Sequence, residues 1–509
     1  MHRIFETPEL MSIICVDLSP RLMLVSRHFF YGILPHYWKR ATMLDLFMRG
    51  LIPATQTRNE RRIYVSISQT LTFENMARFH FYAPFIKMFS LNSFSASLRV
   101  EDWGPLITYS QEIELLPNLV VFEGWKPDLQ PLSAFLSGSI RIIQLGSQYV
   151  SLTMDVLAFI ATRCPAIHEL EFYPGSTKPA ANPTIEDIPQ QTFAPMSEFR
   201  ELRSLSTSTA VLQSHALHLV SQLPNLVDLE IKDGYLHADS NLLLSHALPA
   251  NSFPSLRTLH VDLETFQDVE KFWDLIPLKM LSEVHISIRS PGSNDQIRFI
   301  PSLCRGSPQI RGLLLDFRGE SVGDNAIEPV YTIQTDMFEC LGNLPLDRFF
   351  SLTAARLDFE NAWDRMAASL PRLGEIRCIN QLASVDDLLM LSSNLPNLSI
   401  VECDFDLTHM ASVVERDWQP CRDLPRYPKL KQLIIRPVEL KELAFEDSPY
   451  DLYDLAKFFA YFWPNVDLST STAVDEDVGS GREDWVYENG LFNMFKKLIK
   501  SHAHSFRNV

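Results

Sequence analysis

LPNLVDLEIK, residues 223–232, contains the pattern that decides the fold. A proline follows a leucine, and polar residues then alternate with Leu229 and Ile231. Because successive side chains of a β-strand point to opposite faces, this alternation places Leu229 and Ile231 on one face. The stretch therefore predicts a short strand with one apolar face, entered through a turn that the proline shapes.

The same Pro-led pattern recurs along the chain. Clear copies are LPNLVVFEGW (116–125), CPAIHELEFY (164–173), FPSLRTLHVD (253–262), IPLKMLSEVHIS (276–287), SPQIRGLLLDF (307–317), LPRLGEIRC (370–378), LPNLSIVEC (395–403) and YPKLKQLII (427–435). LPLDRFF (344–350) and WPNVDL (463–468) are weaker copies. The two widest gaps have room for further units, and IRIIQLGS (140–147) is a proline-free candidate in one of them. Recurrence at similar spacing indicates a repeat architecture.

Most copies follow a segment with apolar residues at three- and four-residue spacing, which is typical of an amphipathic helix. The clearest are TMDVLAFIATRC (153–164), TAVLQSHALHLVSQL (209–223), TFQDVEKFWDLI (265–276), FENAWDRMAASL (359–370) and SVDDLLMLSSNL (384–395). Ser384 and Asp387 have the spacing of an N-terminal capping box. One such unit cannot bury its apolar face alone, whereas stacked units form a continuous core. The alternative is an ordinary α/β domain with proline-ended helices.

The unit of helix, Pro-led turn, strand and loop resembles irregular leucine-rich repeats. That resemblance implies a parallel row of strands on a concave side and helices on a convex side. The asparagine that usually comes later in the repeat is mostly missing here. The predicted fold class is therefore an α/β repeat solenoid, preceded by a small all-α module.

The predicted all-α module is PELMSIICVDLSPRLMLVSRHFFYGILPHYW, residues 8–38, which is too short to enclose its own apolar residues. Its order of P-E-L, V-S-R-x-F and P-x-x-W-[KR] resembles an F-box. The matching positions are Pro8, Glu9, Leu10, Val25, Ser26, Arg27, Phe29, Pro35 and Trp38. RFHFYAPFIKMF (78–89) resembles a segment that precedes the repeats in many fungal F-box proteins with leucine-rich repeats.

The resemblance implies a partner, because an F-box docks on the Skp-type adaptor of a cullin-RING (SCF-type) ubiquitin ligase while the rest of the chain holds the substrate. The implied adaptor contacts are Pro8, Glu9, Leu10, Ile14, Val25, Ser26, Phe29, Pro35 and Trp38. VDLSPRLML is shorter than the family's usual connection between P-E-L and V-S-R. Two alternatives stay open: a cap for the solenoid, and a non-catalytic interaction scaffold whose shortened F-box no longer docks.

The predicted domain boundaries follow from these patterns. Residues 1–48 form the F-box-like module, 49–110 a connecting segment and N-terminal cap, 111–468 the solenoid, and 469–509 an acidic linker with a capping helix. PGSTKPAANPTIEDIPQQTFAP (174–195) and STSTAVDEDVGSGRED (469–484) are predicted loops, and GLFNMFKKLIKS (490–501) is the predicted last helix.

Composition and motifs favour a binding protein over an enzyme. The 45 Lys and Arg residues against 62 Asp and Glu give a net charge of −17, which argues against nonspecific binding to nucleic acid or anionic lipid. No P-loop, G-x-S-x-G or H-E-x-x-H motif occurs, and His502 and His504 lack metal-ligand neighbours. Scattered cysteines without a C-x-x-C pair predict reduced thiols and a cytoplasmic or nuclear location. We therefore expect neither catalysis nor a cofactor, and no membrane span. The alternative is an enzyme with an unrecognised motif, which would need a deep pocket with convergent titratable groups.

The outward residues of the strand row are the expected substrate-binding surface. The candidates are Glu123, Trp125, Glu171, Tyr173, Asp228, Glu230, Asp262, Arg318 and Arg377. Acidic residues outnumber basic ones on this face, which favours a basic or lysine-rich substrate segment. Trp125 and Tyr173 are candidate anchors, because aromatic side chains tend to dominate interface energy. Alternatively, the charged face only keeps the solenoid in solution.

Overall fold

In the computed structural model, the chain divides into two compact units, Met1–Leu256 and Arg257–Val509. The structure describes residues 20–59, 62–91, 97–124, 129–146, 154–173, 190–232, 247–276, 278–289, 297–317, 331–405, 427, 429–435, 456–457, 459–470 and 496–500. We call the two units the first unit and the second unit and describe each by itself.

The first unit contains a row of parallel strands in which sequence neighbours are mostly spatial neighbours. Along the row, the strands are β1 (Arg40–Thr42), β4 (Met88–Ser90), β6 (Val121–Gly124), β7 (Ile142–Leu145), β8 (Glu169–Phe172), β9 (Ser204–Ser208) and β10 (Asp228–Lys232). A separate sheet pairs β2 (Ala54–Asn59) antiparallel with β3 (Arg62–Ile67), which pairs parallel with β5 (Ser97–Val100).

Helices cover one face of this row. They are α1 (Arg27–Tyr37), α2 (Met43–Met48), α3 (Ala77–Tyr82), α4 (Gly104–Glu112), α5 (Leu129–Phe135), α6 (Met154–Arg163) and α7 (Ser214–Ser221), with 3-10 segments at Pro20–Leu24, Ala83–Phe85, Gln190–Glu198 and Thr209–Leu212. Phe89 of β4 packs on Phe135 of α5 with ring centroids 4.5 Å apart. Strand residues that face the helices are buried, whereas those that alternate with them stay half-exposed, with Ser208 at the end of β9 as a buried exception. We call this second set of strand side chains the outer face.

The second unit repeats the same plan. Its row of parallel strands is β11 (Thr258–Leu263), β12 (Glu283–Ile288), β13 (Gly312–Phe317), β15 (Phe349–Thr353), β17 (Glu375–Ala383), β18 (Ile400–Phe405), β19 (Gln432–Ile435) and β20 (Asp467–Thr470). β14 (Tyr331–Ile333) and β16 (Ala355–Leu357) form a separate parallel pair. The helices are α8 (Phe266–Leu275), α9 (Ile300–Gly306), α10 (Thr335–Leu341), α11 (Ala362–Ser369) and α12 (Val385–Asn394).

Local sequence explains where the helices of the second unit begin. Thr265 and Ser384 are the N-caps of α8 and α12, and each forms a reciprocal capping box with the aspartate three residues later. The predicted box of Ser384 and Asp387 is thus confirmed. Apolar residues at helical spacing, such as Val269, Phe272 and Trp273 of α8, face the core.

The predicted fold class is confirmed, since both units are stacks of irregular leucine-rich repeats with parallel strands and helices on one face. Every Pro-led copy has a strand at its expected place, and so does the proline-free candidate at 140–147. The wide gap before residue 223 holds an additional unit with β9. β1 and β4, which precede residue 111, were not predicted, because three-residue strands carry too little alternation to detect.

Two segments near predicted loops have structure of their own. Residues 190–195 of the predicted loop 174–195 belong to a 3-10 helix, because Phe193 is buried and packs 6.3 Å from Phe172. Residues 496–500 of the predicted last helix are helical, and Lys496 Nζ lies 2.8 Å from Asp467 Oδ1 in β20. The acidic segment 471–484 lies outside the described residues.

Candidate functional site

The V-S-R-x-F motif lies where the first 3-10 turn meets α1. Ser26 is the N-cap of α1, and its Oγ accepts a hydrogen bond from the backbone N–H of Phe29 at 3.3 Å. Serine is favoured here because it satisfies an N–H group that the helix itself leaves without a partner. Ser26 therefore starts the helix, and the two residues before it, Leu24 and Val25, lie on the surface.

A group of apolar side chains is exposed around this helix start. Leu24 and Val25 are 90% and 67% exposed, Tyr31 of α1 is 60% exposed, and Phe81 of α3 is 44% exposed. The Phe30 ring lies 5.3 Å from that of Tyr31 and 6.5 Å from that of Phe81. We call Leu24, Val25, Tyr31 and Phe81 the N-terminal apolar patch.

Trp38 does not belong to this patch, because it is only 6% exposed. Its ring lies 4.9 Å from that of Tyr82, and the Arg49 guanidinium sits 5.1 Å from its centroid. Trp38 thus fixes the end of α1 against α3 and α2. Phe29 is half-buried and Pro35 is exposed. The other expected adaptor contacts, Pro8, Glu9, Leu10 and Ile14, lie outside the described residues.

The strands β8, β9 and β10 arrange their outer side chains in a regular grid. The parallel register fixes the rows, and Tyr173 directly follows β8. In the order β8, β9, β10, the rows are Glu169–Ser204–Asp228 and Glu171–Ser206–Glu230, and Ser208 of β9 pairs with Lys232 of β10. The small serines of β9 lie between two strands with longer outer side chains. We call the serines and their two flanking columns the serine trough.

Hydrogen bonds connect one end of the serine trough. Ser206 Oγ donates to Glu230 Oε2 at 2.7 Å, so the Tyr173 hydroxyl, 2.7 Å away, donates to Ser206. The other Glu230 oxygen lies 2.8 Å from Lys232 Nζ. Burial raises the pKa of Tyr173, so the phenol remains a hydrogen-bond donor at neutral pH. Tyr173, Ser206, Glu230 and Lys232 therefore form one continuous polar chain.

Glu171 and Ser208 are two of the polar groups that remain outside this chain. Glu171 accepts no hydrogen bond and forms no ion pair within the described part of the protein. Burial raises the pKa of Glu171; Lys232 opposes this, and the nearby carboxylates Glu230 and Glu169 add to it. Ser208 is completely buried, and its hydroxyl lacks a hydrogen-bond partner among the described residues.

Glu123 lies at another place on the outer face of the first unit. Its carboxylate is 3.8 Å from the Arg40 guanidinium, and both groups are partly exposed. A pair of this kind in contact with solvent contributes little to stability. Trp125, the other candidate in this repeat, lies outside the described residues.

The outer face of the second unit carries a pair of stacked histidines. The rings of His260 and His285, which are partners in the register of β11 and β12, lie 3.8 Å apart at 15°. His260 Nε2 is 3.2 Å from Asp262 Oδ1, and Arg289 is 3.8 Å from the other oxygen of Asp262. Ser287 Oγ lies 3.4 Å from His285 Nε2. The candidate Asp262 is therefore already engaged by two side chains.

Arg377 is also paired, although sequence analysis placed it in the binding surface. It forms an ion pair with Glu375 on its own strand, and its Nη1 lies 3.6 Å from Glu402 Oε2 on the next strand. Arg318 lies outside the described residues.

An aromatic ring crosses the same outer face between β13 and β15. Gly312 and Phe349 are register partners. A Cβ atom on Gly312 would lie only 2.5 Å from Cε1 of Phe349, so the ring occupies the space that a side chain would need. Glycine at this position permits the ring to lie flat over the neighbouring strand.

The structure gathers only part of the predicted set. Glu171, Tyr173, Asp228 and Glu230 come together in the serine trough, whereas Glu123 lies two strands from Glu171. Asp262 and Arg377 belong to the second unit. Sequence reasoning missed the exposed side chains of Leu24, Tyr31 and Phe81. It also missed the serines of β9, because no proline introduces SLSTS (204–208) and its alternation is weak.

The raised pKa values of the buried cysteine thiols indicate a packing role and low reactivity. Burial raises the pKa of Cys164 and Cys304 to about 12, and it raises the pKa of Cys378 as well. These thiols are therefore protonated at neutral pH and are poor nucleophiles.

Over the ranges given above, no three His, Cys, Asp or Glu side chains are grouped so as to hold a metal ion. In those same ranges, every helix is too short or too polar to cross a bilayer.

Comparison with models of protein families gave no match, and comparison with curated proteins gave none either. Among solved structures, the chain is similar to one in the crystal structure of a TLR13–ssRNA13 complex, with 13% identity and a TM-score of 0.39, over 80% of this chain and 53% of that one. This chain thus covers about half of the length of that TLR13-complex chain.

Two further structures are similar over most of this chain. One is from the yeast Rad7 and Elc1 complex, with 14% identity and a TM-score of 0.32, over 72% of this chain and 76% of that one. The other is an internalin (inlF) from Listeria monocytogenes, with 13% identity and a TM-score of 0.27, over 70% of this chain and 85% of that one.

Proposed function

We propose that this protein is a non-catalytic receptor that binds a protein substrate on its outer faces and docks on a Skp-type adaptor through its N-terminal helical part. It would then act as the substrate-recognition subunit of an SCF-type cullin-RING ubiquitin ligase. The observation that carries the proposal is the N-terminal apolar patch, which coincides with the V-S-R-x-F motif.

The exposure of the patch is the first support. Leu24 and Val25 are exposed although burial of a Leu or Val side chain contributes roughly 1.5–3 kcal/mol. The repeats of the first unit have their own buried core, so these side chains are not needed to complete it. Apolar side chains that remain clustered on a surface mark sites of interaction with another protein.

The fixed geometry of the patch is the second support. The N-cap bond from Phe29 to Ser26 sets the start of α1, and Trp38 packed on Tyr82 sets its end. A patch held on a rigid element loses little conformational entropy on binding. In this proposal Val25 and Phe29 contact the adaptor, whereas Ser26 and Trp38 position them.

The receptor role rests on the outer faces. These present polar and charged side chains in rows fixed by the strand register, opposite the helices. Repeat proteins commonly use such extended surfaces for binding. A receptor of this kind holds the substrate close to the ubiquitin carrier of the ligase. The effective concentration of the substrate at the carrier is thereby raised.

A pull-down of the full chain with a purified Skp-type adaptor tests the docking. Val25→Asp places a charge in the centre of the patch, and we expect it to reduce affinity about tenfold or more. Leu129→Asp is the matched control, because Leu129 is a partly exposed apolar residue on α5 away from the motif. We expect the control to bind like the unchanged chain.

Absence of binding by the unchanged, folded chain would refute the ligase proposal. The protein would then act as a non-catalytic interaction scaffold that binds its partner without an adaptor. Equal loss of binding in Val25→Asp and Leu129→Asp would also count against docking through this patch.

A further inference from the structure

Basic residues occupy the position directly before most strands of the row in the first unit. Lys39, Lys87, Arg141, His168 and Arg203 precede β1, β4, β7, β8 and β9, respectively. Because the strands of this row are parallel, their starts all lie on the same side of the sheet. The five residues therefore follow one edge of the row, and we call them the basic edge.

Backbone hydrogen bonds fix the spacing along the basic edge. The Lys39 carbonyl accepts from the N–H of Lys87 at 3.0 Å, and the Lys87 carbonyl accepts from the N–H of Val120, which precedes β6, at 2.8 Å. The same bond joins each of the remaining neighbours as far as Arg203, at 2.8–2.9 Å. Neighbouring strands lie about 4.8 Å apart, so the five steps from Lys39 to Arg203 span roughly 24 Å.

The cations of the basic edge lack carboxylate partners. Lys39, Lys87 and Arg203 are exposed, and their side chains form no hydrogen bond or ion pair with any residue that the structure describes. Arg141 is half-exposed, and its Nη1 donates only to two backbone carbonyls of its own loop. The edge is therefore a positive surface on a chain whose net charge is −17.

The second unit indicates which chemical group pairs with a cation at this position. Arg311 and Arg348 directly precede β13 and β15, and the Arg348 N–H donates to the Arg311 carbonyl at 2.9 Å, as along the basic edge. The Arg311 Nε lies 2.9 Å and 3.0 Å from the two carboxylate oxygens of Asp347. Arg348 forms an ion pair with Glu283. Cations at corresponding positions of the second unit are thus paired with carboxylates of the chain itself.

An acidic segment of a protein fits the basic edge better than a nucleic acid does. An extended polypeptide advances about 3.3 Å per residue, so roughly seven residues match the length of the edge. Sites for single-stranded nucleic acid add aromatic side chains on which the bases stack, whereas the aliphatic Val120 lies in the middle of this edge. Glu169 and Asp228, the first residues of β8 and β10, repel a long polyanion that extends beyond the edge.

We propose that the basic edge binds an extended acidic segment of a partner protein, whose Asp or Glu carboxylates pair with Lys39, Lys87, Arg141 and Arg203. The segment lies across the starts of the strands from β1 to β9. It supplies to the first unit the carboxylates that Asp347 and Glu283 supply in the second. The inference goes beyond the proposed receptor function, because it assigns a surface and a ligand chemistry that do not depend on adaptor docking.

Fluorescence anisotropy with a labelled glutamate-rich peptide tests the proposal on the purified full chain. The peptide has about eight residues, enough to span the edge, and the same peptide with glutamine at each glutamate position is the neutral comparison. We expect the glutamine peptide to bind at least about tenfold more weakly, and added salt to weaken binding of the glutamate peptide. A single-stranded oligonucleotide of equal charge should bind more weakly than the glutamate peptide.

Three variants separate the basic edge from attraction to any positive charge on the surface. Arg203→Gln and Lys87→Gln each remove one exposed cation, and we expect each to lower affinity for the glutamate peptide roughly three- to fivefold. Arg99→Gln is the matched control, because Arg99 is exposed on β5 in the separate sheet of the same unit. It should alter affinity less than about twofold.

Several outcomes would overturn the inference. They are no binding of the glutamate peptide, equal binding of the glutamine peptide, binding of the oligonucleotide as tight as that of the glutamate peptide, or losses in Arg203→Gln and Lys87→Gln no larger than in Arg99→Gln. Arg203→Gln should retain adaptor binding in the pull-down, because Arg203 and the N-terminal apolar patch lie on different elements. A failure of the acidic-segment site and a failure of adaptor docking are therefore distinguishable.

Discussion

The N-cap of α8 allows a quantitative prediction from the burial of a single carboxylate. Asp268 is 1% exposed, and its Oδ2 accepts hydrogen bonds from the backbone N–H of Thr265 at 3.1 Å and from Thr265 Oγ1 at 2.7 Å. Its Oδ1 has no partner among the described residues. Thr265→Ala removes the hydroxyl bond to Asp268 and the capping bond from the Asp268 N–H, which is 3.2 Å long.

The expected cost combines two effects. Loss of an N-cap side chain costs about 1 kcal/mol, and a buried acceptor that loses a hydrogen bond costs a further ~1–3 kcal/mol. We therefore expect Thr265→Ala to lower the free energy of unfolding of the second unit by about 2–4 kcal/mol. Ser384→Ala is the matched control, because the box of Ser384 and Asp387 has the same three bonds but a half-exposed carboxylate. It should cost about 1 kcal/mol.

The pH dependence has a definite sign. Burial raises the pKa of Asp268, whereas the two hydrogen bonds from Thr265 lower it. Because the folded state binds this proton more tightly than the unfolded state, stability rises as pH falls through the folded pKa towards the unfolded value. Thr265→Ala removes one of the lowering bonds and raises the pKa further. The penalty of Thr265→Ala should therefore be largest near neutral pH and shrink in acid.

Urea unfolding at several pH values measures this penalty, followed by intrinsic tryptophan fluorescence, to which Trp273 of α8 contributes. A cost of Thr265→Ala no greater than that of Ser384→Ala at neutral pH would refute the reasoning. So would a penalty that stays constant between neutral and acid pH.

Two further predictions concern a thiol and an ion pair. Cys378 is buried with a raised pKa, so a thiol reagent should label it only after urea unfolding; labelling in the native protein as fast as that of a free thiol would contradict its burial. Lys496 lowers the pKa of Asp467 mainly through its hydrogen bond, and Lys496→Met should move the NMR titration midpoint of Asp467 up towards its ordinary value. The Asp467 carboxylate stabilises the fold above its unfolded pKa, and this stabilisation is lost as pH falls. An unchanged titration midpoint in Lys496→Met would refute the contact.

The repeat strands could be predicted because their cause is local. A proline followed by alternating apolar residues specifies both the turn and the buried face, as in residues 223–232. β9 could not be located, because no proline introduces SLSTS and its small polar residues give weak alternation. β1 and β4 are three residues long and form only because they pair with neighbouring strands. A pattern of three residues does not identify those pairing partners.

The candidate site was predictable only where the strand register determines it. The alternation within single strands predicted that Glu171 and Glu230 share the outer face, and the register then brings them to either side of Ser206. Trp38 matched a sequence motif, yet its burial depends on Tyr82, far along the chain. Similarly, the ion pairs of Arg377 depend on which strands are adjacent, and sequence spacing alone does not give that.

Gly312 and Phe349 have a consequence for how this chain can change over time. Repeats are often regarded as interchangeable modules that can be duplicated, lost or swapped one by one. Here the missing side chain in one repeat and the aromatic ring in the next fill the same space, so neither is an independent choice. Deleting the β13 repeat alone would place Glu283, the register partner of Gly312 on β12, against the ring. Copying the β13 repeat would keep a glycine beside the ring, so this stack tolerates a gain at β13 more readily than a loss.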